Sequence, residues 1–303
     1  MPVFTHAACL AHDTGPTHAE CAQRLSAVTS ALRECYADLD WREAPKATRG
    51  QLLRVHEAAL LHAVLETRHA DAIWLDPDTV LSPASAEAGL RAAGAVVAAV
   101  ELVMNGEAER AFCAVRPPGH HATRETAMGF CLFNNIAVGA AHALDKYGLS
   151  RIAIADFDVH HGNGTQAIFQ DEARVVFASS HQMPLYPDSG YVHERGIGNI
   201  FNAPLPPRTD GTGFREAWRE RLLPQIDAFR PQLVMISAGF DAHQRDPLAQ
   251  LRLEADDFAW ITAALIEIAA RHADGRVVSS LEGGYDMEGL RESSIAHVAA
   301  LRA

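Results

Sequence analysis

Apolar residues recur at helical spacing through the first hundred positions of the chain. They predict helices over Ala19–Ala37, with Leu25, Val28, Leu32 and Tyr36 on one face, over Gln51–His69 and over Ser82–Gly106. From residue 111 the texture changes. Short apolar runs at Ala111–Val115, Ile152–Ala155, Val175–Ala178, Leu233–Ser237 and Val277–Leu281 read as buried strands. Helical stretches over Asn134–Gly148, Gly213–Phe229 and Asp256–Ala273 separate several of them. Strands alternating with helices predict a parallel sheet covered on both faces. The Pro- and Gly-bearing segments Pro184–Gly198 and Ala203–Gly213 read as long surface loops. No linker interrupts the pattern, so residues 1–303 are expected to form one α/β domain with a helical N-terminal part.

Composition narrows the function classes. Of 303 residues, 48% are hydrophobic and 21% charged, which is ordinary for a globular chain. The apolar run around Gly94–Met104 is broken by Glu101 and is too short to span a bilayer. The N-terminal stretch has no basic segment followed by an apolar one, so the expected location is the cytoplasm, without membrane attachment. Cys9, Cys21, Cys35, Cys113 and Cys131 lie far apart without a CxxC pair, which disfavours a thiolate zinc knuckle and a disulfide framework. The formal charge of −12, without a basic cluster, argues against nucleic acid as a partner. Sixteen histidines are more than usual, and their positions carry the chemistry.

Each predicted strand runs into a polar segment rich in Gly or Pro: RPPGHHA (116–122), ADFDVHHGNGT (155–165), SSHQ (179–182), SAGFDAH (237–243) and LEGGYD (281–286). Open α/β sheets bind ligands beyond the carboxyl ends of their strands, so these segments should converge on one rim. One Asp or His there is an ordinary cap or turn residue; five such segments together are not. On an extended chain Asp156, Asp158 and His160 face one way, with Phe157 and Val159 opposite. Two carboxylates and an imidazole make a poor core and a good site for zinc or a similar divalent ion. Asp241 is the natural third ligand beside Asp158 and His160. His120 and His121 follow a rigid Pro-Pro-Gly turn and are candidates for acid–base work, with Asp156 and Asn163 available to orient them. Tyr285 offers a phenol on a glycine turn, placed to stabilise an oxyanion.

Other chemistries fit less well. HGNGT lacks the lysine and spacing of a phosphate-binding loop, and Asp156 and Asp158 would repel an anion. No GxSxG elbow marks a serine hydrolase, and Cys131 in GFCLFNN reads as a core residue. A binuclear arginase-like centre would want a carboxylate where Gly162 stands, and a catalytically dead acyl-lysine reader would be expected to have lost a ligand or Tyr285.

In this order, RPPGHHA, GFCLFNN, DFDVHHGNGTQ, AGFDAH and EGGYD resemble the zinc-dependent histone deacetylase family, which includes acetylpolyamine amidohydrolases and acetoin-utilisation proteins. The resemblance runs from about His12 to Tyr285, in a class II-like bacterial form. It implies an arginase/deacetylase α/β fold, a single domain with a central parallel sheet of about eight strands. It implies zinc on Asp158, His160 and Asp241, with Fe²⁺ as an alternative ion, and the tandem pair His120 and His121, the second as general base. His120 would pair with Asp156 and His121 with Asn163, while Tyr285 would polarise the acyl oxygen. Gly129, Phe130 and Tyr186 would line a narrow substrate tunnel with Leu248 at its mouth, and Arg24 would border an internal acetate channel. His18-Ala19-Glu20-Cys21-Ala22-Gln23-Arg24-Leu25 departs from the family's HPExPxRL by losing both prolines. Potassium is implied behind the zinc, on Asp156, Ser179 and the backbone of Asp158, His160 and Ser180. A second monovalent cation would sit on carbonyls near Phe169, Glu172 and Val175.

The implied reaction is hydrolysis of acetyl or other acyl groups from lysine side chains of proteins or peptides. The alternative substrate is a small acetylated polyamine. Leucine at position 248 offers no counter-charge to a polycation and favours acyl-lysine. Family members occur as monomers, dimers and tetramers, so the resemblance admits a homo-oligomer.

Overall fold

The computed structural model describes residues 1–67 and 70–303. Its strands are β1 (Pro2–Thr5), β2 (Asp40–Glu43), β3 (Ile73–Trp74), β4 (Val80–Leu81), β5 (Arg110–Cys113), β6 (Ile152–Asp156), β7 (Val175–Gln182), β8 (Ile200–Leu205), β9 (Leu233–Ala238) and β10 (Val277–Leu281). Eight form one sheet in the order β2-β1-β5-β10-β9-β6-β7-β8, while β3 and β4 make a separate antiparallel pair. Every pairing in the large sheet is parallel. The strands β6, β7, β9 and β10 are buried at every position, which explains the apolar runs with which they begin.

The chain moves outward from β1 to β2, returns to β5, jumps to β6 and continues outward through β7 and β8. It then comes back to insert β9 and β10 between β6 and β5. The five strands followed by polar motifs therefore occupy five consecutive places in the sheet, and being parallel they deliver those motifs to one rim. Helices Ser85–Met104 and Asn135–Tyr147 pack on each other in one group; Ala22–Cys35, Ala255–His272 and Met287–Arg302 form a second.

Three expectations change. The helix expected over Gln51–His69 is two short helices, Arg49–Leu52 and Ala58–Leu65, and the expected end at His69 lies outside the described residues. Between them the His56 ring turns inward, Nδ1 donating to the Thr123 carbonyl (2.8 Å) and Nε2 accepting from Asn134 N–H (2.9 Å). Glu57 N–H bonds to the Arg124 carbonyl rather than to the preceding turn (2.8 Å). The loop expected over Ala203–Gly213 begins later, because Ile200–Leu205 is the edge strand β8; Pro204 is tolerated there because an edge position has no partner to donate to. The helix expected over Gly213–Phe229 contains a π-turn, Trp218–Leu222, between Gly211–Ala217 and Leu223–Phe229. Pro184–Gly198 carries no helix or strand, as expected.

Candidate active site

The rim is built from the segments that leave β5, β6, β7, β9 and β10 at their carboxyl ends. After β6 the chain departs from the sheet at Asp156 and bends through residues 157–162, while Phe157 and Val159 stay in the core. Asp158 and His160 thus project from a bend rather than a strand. They meet Asp241, three residues beyond the end of β9, with one ligand atom from each lying within 4.8 Å of the others. His160 Nδ1 is 3.1 Å from Asp158 Oδ1 and 3.2 Å from Asp241 Oδ2. The second oxygens are already held: Asp158 Oδ2 accepts from Gly283 N–H and Asp241 Oδ1 from Val159 N–H, both at 2.8 Å. A Cβ at Gly283 would run into both carboxylates, so the close approach of that backbone requires glycine. Two buried carboxylates and one imidazole with converging donor atoms fit a divalent cation of the zinc or iron type.

The tandem histidines face this group from the turn after β5, with rings 4.0 Å apart. His120 Nδ1 bonds to Asp156 Oδ2 at 3.0 Å. Burial disfavours charge on His120, but the carboxylates of Asp158 and Asp156 outweigh it and hold the ring protonated. His121 Nδ1 donates to Asn163 Oδ1 at 2.7 Å, and its ring centroid lies 5.8 Å from that of His160. Burial lowers the His121 pKa well below the usual range, and the neighbouring His120 and His160 push it further. The pKa values of the two adjacent rings are thus shifted in opposite directions.

Tyr285 arrives on the glycine turn after β10. Its backbone N–H donates to Asp246 Oδ2 (2.8 Å), and its ring lies 4.7 Å beneath the Arg24 guanidinium. Arg24 itself bonds to the carbonyls of Glu282 and Gly284 and to Glu20 Oε1 (3.0 Å). Burial raises the Tyr285 pKa well above its usual value, against the pull of Arg24, so the hydroxyl is neutral and can donate. Among the described residues that hydroxyl has no hydrogen-bond partner.

Phe130 stands edge-on to Tyr285 (5.8 Å between centroids), and Tyr186 stands edge-on to His121 (5.2 Å). Phe130 takes a left-handed φ of 68°, an unusual conformation for an aromatic residue. Its N–H is held by Thr79 Oγ1 at 3.0 Å. A Cβ at Gly129 would strike the His121 ring. Leu248 is half-buried, with its N–H on Asp246 Oδ1 at 2.9 Å, so one buried carboxylate ties this loop to the Tyr285 turn. His161 faces elsewhere, bonding Ser189 and Gln166 beneath the segment that carries Tyr186.

The residues expected around potassium are also adjacent. Asp156 and Ser179 are register partners on β6 and β7. Ser180 Oγ accepts from Trp218 Nε1 (2.9 Å). The carbonyls of Phe169, Glu172 and Val175, expected to hold a second monovalent ion, all accept from Asn199 Nδ2.

Reading motifs alone missed three buried charges. Glu282, at the head of EGGYD, accepts from Gly119 N–H (2.6 Å), His120 N–H (3.1 Å) and Ser237 Oγ (3.0 Å). Burial raises its pKa to about 7, although His120 and the Gly119 N–H pull the other way. Glu20 and Arg116 form a bidentate buried pair, Nε and Nη2 each 2.6 Å from a carboxylate oxygen, which fixes the start of the histidine turn. The sequence signal was present, since Arg116 and Glu282 are the outer residues of two motifs read only for their His and Tyr.

A doubly covered parallel sheet with a buried Asp/His/Asp group, paired histidines and a phenol on one rim defines an α/β protein with a candidate metal site beside acid–base groups. Residues 18–301 match the histone deacetylase domain, and the chain belongs to that family. A "probable deacetylase" of Archaeoglobus fulgidus is 40% identical over 308 residues, covering 99% of this chain and 85% of that protein. A "histone deacetylase-like amidohydrolase" of Pseudomonas aeruginosa is 42% identical over 255 residues, covering 82% and 67%. The crystal structure of the HDA15 HD domain superposes with a TM-score of 0.94 at 31% identity, covering 99% of this chain and 87% of that one. The chain is thus a histone deacetylase-family hydrolase with the deacetylase fold.

Proposed function

We propose that the protein is a metal-dependent amidohydrolase that removes acetyl or related acyl groups from lysine side chains of peptides or proteins. The observation that carries this reading is the convergence of Asp158, His160 and Asp241 beside two imidazoles oriented by Asp156 and Asn163. A divalent ion on those three residues, zinc in the first instance and Fe²⁺ as an alternative, would supply Lewis acidity toward an acyl oxygen and water. His121, neutral and with Nδ1 committed to Asn163, has Nε2 available to take a proton from the attacking water and return it to the leaving amine. His120, charged against Asp156, supplies fixed positive potential beside it. Tyr285 donates its hydroxyl to the tetrahedral oxyanion. Phe130 and Tyr186 give the acyl-lysine stem apolar walls that exclude water, and Gly129 leaves room for His121 between them. Arg24, stacked on the Tyr285 ring, would neutralise the released acetate. Potassium on Asp156, Ser179 and the carbonyls of Asp158, His160 and Ser180 would offset the negative charge behind the centre.

Leu248, which offers no counter-charge, supports acyl-lysine over an acetylated polyamine. The test is hydrolysis of acetyl-lysine peptides and acetylated polyamines side by side, with and without a hydroxamate chelator. Higher kcat/KM on the peptides, abolished by the hydroxamate, is expected. A tenfold preference for a polyamine would transfer the assignment to that substrate.

A further inference from the structure

Three backbone carbonyls between helix Asn163–Phe169 and β7 point at a single atom. Asn199 Nδ2 lies 2.8 Å from the Phe169 oxygen, 3.1 Å from that of Glu172 and 2.8 Å from that of Val175. Carbonyl dipoles aimed at one point repel one another unless something positive stands there, which is how proteins wrap dehydrated monovalent ions. The Phe169 and Glu172 oxygens each also accept one backbone N–H, from Glu172 and Val175, so their geometry is set by the turn itself. An amide nitrogen has two hydrogens for these three acceptors. At the other end of the amide, Asn199 Oδ1 is buried with no hydrogen-bond partner among the described residues. Rotating the amide would press that oxygen against three others, so the cage selects the positive end and leaves Oδ1 unpaired. The backbone fixes the side chain in place, since the Asn199 carbonyl accepts from Phe177 N–H at 3.0 Å at the head of β8.

We propose that Asn199 replaces a monovalent cation, its side-chain amide closing the cage of Phe169, Glu172 and Val175 carbonyls so that no ion is bound there. The cage ties the far end of the helix that begins with Asn163, the partner of His121, to the start of β7, which carries Ser179. A covalently attached donor makes this junction independent of salt composition. The chain would then take one monovalent ion at most around the centre, the one beside Asp156.

Rubidium, a strong anomalous scatterer that mimics potassium, gives the test. Crystals of the unmodified protein soaked in rubidium chloride should show no anomalous peak in the cage, and Asn199→Ala crystals under the same soak should show one. A peak there in the unmodified protein, or its absence from both, overturns the proposal. In solution, Asn199→Asp should melt higher in KCl than in choline chloride at equal ionic strength, by roughly 3 °C more than the unmodified protein does. No added potassium dependence would equally overturn it.

Discussion

Replacing Tyr285 by Phe deletes one hydroxyl at a position where the structure separates catalysis from folding. The ring is held by the Arg24 guanidinium on one face (4.7 Å) and the edge of Phe130 (5.8 Å), and phenylalanine keeps both contacts. The backbone N–H stays on Asp246 (2.8 Å). Because the hydroxyl has no partner among the described residues, its loss strands no buried donor or acceptor, and stability should change by less than about 1 kcal/mol. The catalytic cost is far larger. Removing one preorganised donor to an oxyanion typically lowers kcat by about 10²–10³, or roughly 2.7–4 kcal/mol of barrier. Acetate release from an acetyl-lysine peptide, metal content by elemental analysis and the thermal midpoint should be measured on one preparation. The expected result is a kcat lower by about two to three orders of magnitude, with KM, metal content and midpoint near their original values. A kcat within about threefold of the original, with metal intact, would remove Tyr285 from the oxyanion site.

Asn163→Asp places a carboxylate on His121 Nδ1, which raises the pKa of the base; since the base must be neutral to work, the acidic limb of the kcat/KM profile should move to higher pH. Movement to lower pH with metal intact would contradict the pairing. Leu248→Glu should raise kcat/KM for acetylated polyamines relative to acetyl-lysine peptides by up to roughly tenfold, the scale of one half-exposed ion pair, and an unchanged ratio would take Leu248 out of substrate selection. Glu282→Ala removes the acceptor of three buried contacts, from Gly119 N–H, His120 N–H and Ser237 Oγ. A loss of about 1–3 kcal/mol in denaturant unfolding is expected, and an unchanged midpoint would mean that the turn holds without it.

The central strands were legible because β6, β7, β9 and β10, buried on both faces, each open with a run of apolar residues. The sheet's edges were not. Asp40–Glu43 is half-exposed and polar, and Ile200–Leu205 carries Asn202 and Pro204, so neither shows an apolar run or a clean alternation. At the rim, Asp158, His160, Asp241 and the tandem histidines stood out because their side chains have no ordinary reason to follow a buried strand. Glu282 and Arg116 stayed hidden because a lone charge beside glycine or proline looks like a solvated turn. Their partners, Gly119 and Glu20, lie 163 and 96 positions away along the chain. Asn199 was hidden for a related reason, since the carbonyls it serves belong to the backbone and leave no trace in side-chain chemistry.

The central claim, a single catalytic divalent ion on Asp158, His160 and Asp241, is tested most directly by titrating chelator-stripped protein with zinc while monitoring acetate release from an acetyl-lysine peptide. Activity should be absent at the start, rise linearly and break at one equivalent per chain, and Asp241→Ala should show neither the rise nor tight retention of the metal. Full activity in the stripped protein, or an unchanged titration in the variant, would contradict the account.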